Sequence, residues 1–202
     1  MATRSARGRP PSASREMLQD AAFELFLEQG YAATTVEQVT RRAGVSRNTF
    51  FNYFDAKADV FWVELDSALT QLAELLAAVP DSASPLPALR VLLFDLGEGF
   101  GAGDVPFALT QHELIGSTGD LQASAVTRFM TAVRLIRRFL AERGISDARA
   151  RAIAYATVGA SVAAAEAWAA AGTSRGSLRS HLEPVVGPVL DGFGSAEGDA
   201  RR

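Results

Sequence analysis

The sequence predicts an all-α protein of about nine helices, with a small N-terminal unit and a larger C-terminal one. Apolar residues recur at spacings of three and four along most of the chain, which places them on one face of a helix. No segment alternates apolar and polar residues as a strand does, and no hairpin dipeptide joins two alternating runs. The breaks between apolar runs carry Gly, Pro or a Ser, Thr or Asp cap, the punctuation of helices. The 202 residues are 48% hydrophobic and 21% charged, enough to bury a core. With no Cys and only His112 and His181, disulfides, thiolate metal sites and Cys nucleophiles are excluded, and a His-rich metal centre is disfavoured. Ser117, Ser161, Asp95, Glu98, His112 and Glu113 form no triad or metal spacing. The reading is therefore no enzyme, no cofactor and no metal.

Residues 1–13 are polar and read as a flexible basic arm with Arg7 and Arg9. Ser14 caps a first helix, in which Leu18, Ala21, Ala22, Leu25 and Phe26 make an apolar stripe. Gly30 ends it. Thr35-Val36-Glu37-Gln38 is a capping box that starts a second helix, ending at Gly44. Ser46 caps a third, Arg47 to Phe54. Asp55 is the expected cap of a long fourth helix from Lys57 to about Val79. Pro80 to Pro85 is a break. Further helices are expected near 85–100, 105–116, 119–143, 147–171 and 175–193, the last bent or split at Pro184. An interior proline costs about 3 kcal/mol, and Pro188 follows one turn later. Residues 195–202 read as a disordered tail. The domains expected are thus 14–60 and 61–194.

The second and third helices, joined by Ala43-Gly44-Val45-Ser46, form a helix-turn-helix. Gly44 supplies the positive φ of the sharp turn. Val36, Val39, Ala43, Val45, Phe50 and Phe54 fix the angle between the helices. The outer face of the third helix suits the major groove of DNA. Arg47 can pair with guanine O6 and N7, Asn48 and Asn52 with adenine, and Thr49 can touch a thymine methyl or a phosphate. Ser46 begins that face, and Tyr53 and Lys57 flank it for backbone oxygens. The net charge of −3 does not oppose this reading. Residues 1–60 hold eight basic and seven acidic side chains, the remainder twelve and sixteen, and residues 1–15 hold four Arg and no acid. Phosphate binding needs a local positive face, not a positive total. Arg7-Gly8-Arg9-Pro10 is similar to an AT-hook core, in which arginines enter a narrow minor groove.

Residues 15–61 resemble the N-terminal domain of the TetR family of transcriptional regulators. The stretches AAFELFLEQGYAATTVEQV and AGVSRNTFFNYFDAKADVF carry the resemblance, in the family's order and spacing. It implies a homodimer, joined through the last two helices, that binds a palindromic double-stranded DNA operator. It also implies release by a small molecule held in the larger domain, hydrophobic or acyl-coenzyme A-like. By position, Thr35, Arg47, Asn48, Thr49, Asn52, Tyr53 and Lys57 would contact DNA. Phe51 departs from the family, standing where many members have a phosphate-contacting Tyr. Ala56 stands where Ser or Asn is usual. A repressor is the favoured reading, against an activator or a regulator without a small-molecule effector.

In the C-terminal part, Phe94, Phe107, His112, Phe129 and Trp168 are the candidates to line an effector pocket, and Arg134, Arg137 and Arg138 could meet an anionic group. The longest uncharged stretch in the alanine-rich part, Ala152 to Ala165, is 14 residues, short of the roughly 20 that span a membrane. With no apolar run after the N-terminal arginines, a cytoplasmic protein without membrane attachment is expected.

Overall fold

The computed structural model describes residues 15–199, the last five as backbone alone. Arg7, Arg9 and Ser14, singled out in the sequence, lie outside the described residues. Among those described there are no strands, and the α-helices run α1 (Arg15–Gln29), α2 (Val36–Arg42), α3 (Arg47–Phe51), α4 (Val63–Ala78), α5 (Pro85–Glu98), α6 (Phe107–Thr110), α7 (His112–Ser117), α8 (Gly119–Glu142), α9 (Asp147–Ala170) and α10 (Arg179–Asp199). The chain divides into two compact units, Met1–Val63 and Glu64–Arg202.

The first unit is built on one aromatic core. Leu18, Ala22, Leu25 and Phe26 of α1 are buried, as their spacing predicts. Phe61 stacks on Phe26 at 5.3 Å and meets Tyr31 edge-on at 5.5 Å. The expected helix from Lys57 to Val79 is instead a 3₁₀ segment, Lys57–Trp62, followed by α4. At three residues per turn Ala58 and Phe61 fall on one line, and both are buried. Asp55 is not its cap. The Ala56 N–H donates to Asp59 Oδ2 at 2.9 Å, so the carboxylate three residues on satisfies the orphan amide. The third helix is also shorter than predicted, with Asn52 already at its C-terminal boundary.

The second unit packs α5, α8, α9 and α10 around a core that includes Leu89, Ile136, Leu140, Ile153, Val186 and Leu190. Two contacts from α8 and its end hold α4 in this unit. Arg128 forks onto Asp66 (2.8 and 3.0 Å), and Arg143 Nη2 donates to the Val79 carbonyl at 2.7 Å. The predicted helix near 105–116 is broken at Gln111 into α6 and α7. The last helix is neither split nor frayed at 195. It runs unbroken through Pro184 and Pro188 to Asp199. Its inner residues Leu182, Val186 and Leu190 are all buried, and that burial outweighs the proline penalty.

Where α5 meets the start of α10 the spacing depends on Gly97. A Cβ there would lie 2.5 Å from Leu182 Cδ1, 3.1 Å from the Arg179 nitrogen and 3.3 Å from its Cα. The Leu182 tip can turn aside, but the Arg179 backbone cannot. Gly97→Ala is therefore expected to destabilise the second unit by about 1–3 kcal/mol through overpacking, despite alanine's better helix propensity. Gly116→Ala, with nothing within 4 Å, should not. Thermal melting of the two variants makes the comparison, and equal melting temperatures would refute the close-approach argument. No helix among the described residues is long and apolar enough to cross a membrane.

Candidate nucleic-acid interface

Local sequence sets the frame of the interface. Thr35 Oγ1 accepts from the Gln38 N–H at 3.3 Å, while Gln38 Oε1 accepts from the Thr35 N–H at 2.8 Å, the reciprocal box that starts α2. At its end Gly44 takes φ +69°, and the Val45 N–H turns back to the Thr40 carbonyl at 2.9 Å. Ser46 Oγ then accepts from the Thr49 N–H at 3.1 Å and lies 2.8 Å from Thr49 Oγ1. Three of the predicted contact residues thus also cap or brace the two helices.

The inner side of α3 is fixed by Phe50, which is fully buried, with Phe54 beside it at 5.2 Å. Val39 is also fully buried, whereas Val36, Ala43 and Val45 are only half-buried. The outer side presents Ser46, Arg47, Asn48, Asn52 and Tyr53, all exposed, with Thr49 half-buried. Donors and acceptors able to read base edges therefore share one short helical face. Arg47 Nη1 lies 3.2 Å from Glu37 Oε1, and its Cζ sits 5.4 Å from the centre of the Phe51 ring.

Lys57 is placed differently from its predicted role. Its Nζ donates to the carbonyls of Tyr31 (2.7 Å) and Thr34 (2.8 Å) and lies 3.9 Å from the Tyr31 ring centre. It ties the 3₁₀ segment to the loop between α1 and α2, so its ammonium serves the protein's own backbone. Arg42 was missed as a positioning group. It donates to both Glu28 oxygens (2.9 and 2.7 Å) and to Glu24 Oε2 (2.9 Å), fastening the end of α2 to α1. The signal was available: Glu24 and Glu28 are like charges one turn apart, a spacing that invites a shared cation. Hydrogen bonding to Arg42 holds the Glu28 carboxyl below its ordinary value. The fork is thus complete above the usual carboxylate range and lost as pH falls through that lowered value.

A model described as bacterial regulatory proteins, tetR family, matches residues 18–61. A second, the MftR C-terminal domain, matches residues 83–194, more than half of the chain. The chain belongs to the TetR family. It is a ligand-responsive DNA-binding transcriptional regulator, as the family's members are. Over 155 residues it is 28% identical to the Mycobacterium tuberculosis protein assigned as the mycofactocin biosynthesis regulator MftR, covering 75% of this chain and 78% of that one. YdeS, an HTH-type regulator of Bacillus subtilis, is 31% identical over 152 residues, 73% of each chain. Among solved structures, the TetR-family repressor FadR of Thermus thermophilus, in complex with lauroyl-CoA, is 28% identical with a TM-score of 0.52, covering 89% and 94%.

The five candidate pocket residues share no groove, although Phe94 and Phe129 belong to one apolar cluster. Trp168 is fully buried and its Nε1 donates to the Gly176 carbonyl at 3.0 Å, stapling α9 to the loop before α10. Phe94 is part of the core, Phe129 packs against that core and against Tyr155 at 6.1 Å, Phe107 is half-buried and His112 is exposed. A groove of about 400 Å³ lies between α4 and α8, lined by Leu76, Leu135, Arg138, Phe139 and Arg143 among others. A second, of about 600 Å³, lies between α5 and α10 beside Arg90 and Val91. None of the five residues lines either groove. Nor do the three arginines of α8 form one basic patch. Arg137 Nε donates to Asp147 at 2.7 Å, Arg138 faces Glu142 at 3.9 Å and Arg134 donates to Thr131. Aromatic spacing alone did not distinguish a pocket wall from a core.

Proposed function

We propose that this TetR-family regulator is a repressor that binds a palindromic operator as a homodimer and is released by a small molecule. The observation that carries the reading is the face of α3, where Arg47, Asn48 and Asn52 are exposed together while Phe50 anchors the opposite side. Two such helices would enter successive major grooves about 34–36 Å apart or slightly more. Arg47, Asn48 and Asn52 would choose bases, and Thr35, Ser46, Thr49 and Tyr53 would position the unit on phosphates. Lys57 contributes by holding the loop and the 3₁₀ segment together.

Dimerisation through α9 and α10 is supported by the apolar groups those helices leave exposed, Tyr155, Val162 and Val185. An effector with an apolar body, of the acyl-coenzyme A kind, is supported by the lauroyl-CoA complex of the Thermus thermophilus relative. It would act by binding better to dimers whose α3 helices are misplaced for DNA, and only to the extent of that preference.

Selection of bound duplexes from random DNA tests the reading. A palindrome is expected, and a set of bound sequences without two-fold symmetry would refute it. Against the selected operator, Arg47→Ala should lose about 1–3 kcal/mol of discrimination at one base pair per half-site. Binding to base-pair variants of the operator measures this.

A further inference from the structure

Arg47 is the first residue of α3 and its side chain is 61% exposed, yet it is held on two sides. Glu37 Oε1, from the first turn of α2, lies 3.2 Å from Nη1. The Phe51 ring lies under the guanidinium, 5.4 Å from Cζ to the ring centre. Phe51 is itself 43% exposed, so its ring face is open to the guanidinium. It stands edge-on to Phe50 at 5.4 Å and 82°, and Phe50 is fully buried. A line of contacts therefore runs from the core of the unit to Arg47: Phe50 fixes Phe51, Phe51 supplies a flat platform, and Glu37 sets the rotation of the guanidinium upon it.

We propose that Glu37, with Phe51, is a positioning and specificity-determining pair that aims Arg47 at a base edge and keeps it off the phosphates. This rests on the reading above that Arg47 contacts bases. An unrestrained arginine at this place would be drawn to the nearest phosphate, which every sequence offers. The Glu37 carboxylate offsets that attraction. It occupies one edge of the guanidinium and leaves the remaining N–H donors for a fork such as guanine O6 and N7. Specificity follows from aiming one arginine at a base edge and denying it the phosphate that every duplex offers.

The test uses the full-length protein, its selected operator and a scrambled duplex of equal length, titrated over a range of salt. Glu37→Gln is expected to raise affinity for the scrambled duplex and to steepen the log–log salt slope by about one, as Arg47 takes a phosphate. It should lower the operator-to-scrambled ratio about tenfold, the low end for losing one base contact. Phe51→Leu should lower the ratio in the same direction without altering charge. In an Arg47→Ala background Glu37→Gln should leave the ratio unchanged, because the carboxylate acts through the arginine. The pair is exposed, so melting of Glu37→Gln should match the parent protein and remove misfolding as the explanation. If Arg47→Ala lowers the ratio but Glu37→Gln does not, the positioning role is overturned and the base-reading role stands. If Glu37→Gln lowers the ratio equally with and without Arg47, the carboxylate acts on DNA directly and the proposal falls. If Arg47→Ala leaves the ratio unchanged, base reading by Arg47 is itself wrong and the proposal falls with it.

Discussion

Phe50→Ala is expected to abolish operator binding while helices of the Glu64–Arg202 unit persist. Phe50 is fully buried, and both neighbouring aromatic contacts of α3, with Phe51 and Phe54, pass through it. Truncating a buried Phe to Ala costs about 3–5 kcal/mol, because the surroundings collapse only partly into the space. The first unit is small, and small units bury a low fraction of their surface and hold little stability in reserve. A domain's whole stability is only about 5–15 kcal/mol, so this one change consumes much of it. Melting followed by circular dichroism, together with operator binding, measures the effect. Phe50→Leu keeps most of the volume and should retain binding. Full binding by Phe50→Ala would mean that α3 is held by something other than its core anchor.

Lys57→Met is expected to lower the melting temperature and to leave the salt slope of DNA binding nearly unchanged. Its Nζ donates to two carbonyls at 2.7 and 2.8 Å over the Tyr31 ring, and hydrogen bonds to a charged group contribute roughly 1.5–3 kcal/mol each. Partial exposure argues for the low end, about 3 kcal/mol for the pair. Methionine keeps the length of the stem, so the loss is that of the donors and not of packing. A lysine whose role was a phosphate contact would behave in the opposite way. Its loss would weaken binding to all DNA and reduce the slope by about one, with melting unchanged. Melting and salt titration of the one variant decide between the two.

The parts of the molecule that depend on neighbours three or four residues apart were legible in the sequence. The Thr35–Gln38 box, the Ser46 cap and the turn at Gly44 all formed where the pattern placed them. Parts that depend on distant partners were not. Lys57 is 26 and 23 residues from the carbonyls it binds, and no local pattern announces such a bond. Asp55 lies next to Ala56 but does not cap it; Asp59 stands three residues on, where a side chain reaches back to the Ala56 amide. Trp168 satisfied an aromatic spacing that suits pocket and core alike, and the Gly176 carbonyl that claims its N–H lies beyond the helix. At Pro184 the buried face of Leu182, Val186 and Leu190 overrides intrinsic propensity, and that burial depends on distant partners.

Those two prolines have a further effect on whatever covers α10. Neither imino nitrogen carries a hydrogen, so the oxygens of Ser180 and Pro184 lack the amide that would normally answer them one turn later. Ser180, Pro184 and Pro188 are all exposed, so these unanswered carbonyls belong to residues on the open side of α10. Solvent can satisfy them while this side is open. A counterpart laid across it must bring hydroxyl, amide or guanidinium hydrogens to those two points, or strand each oxygen at about 1–3 kcal/mol. A wholly oily mate is therefore a poor match for this flank, even though proline rings and Val185 make it look greasy.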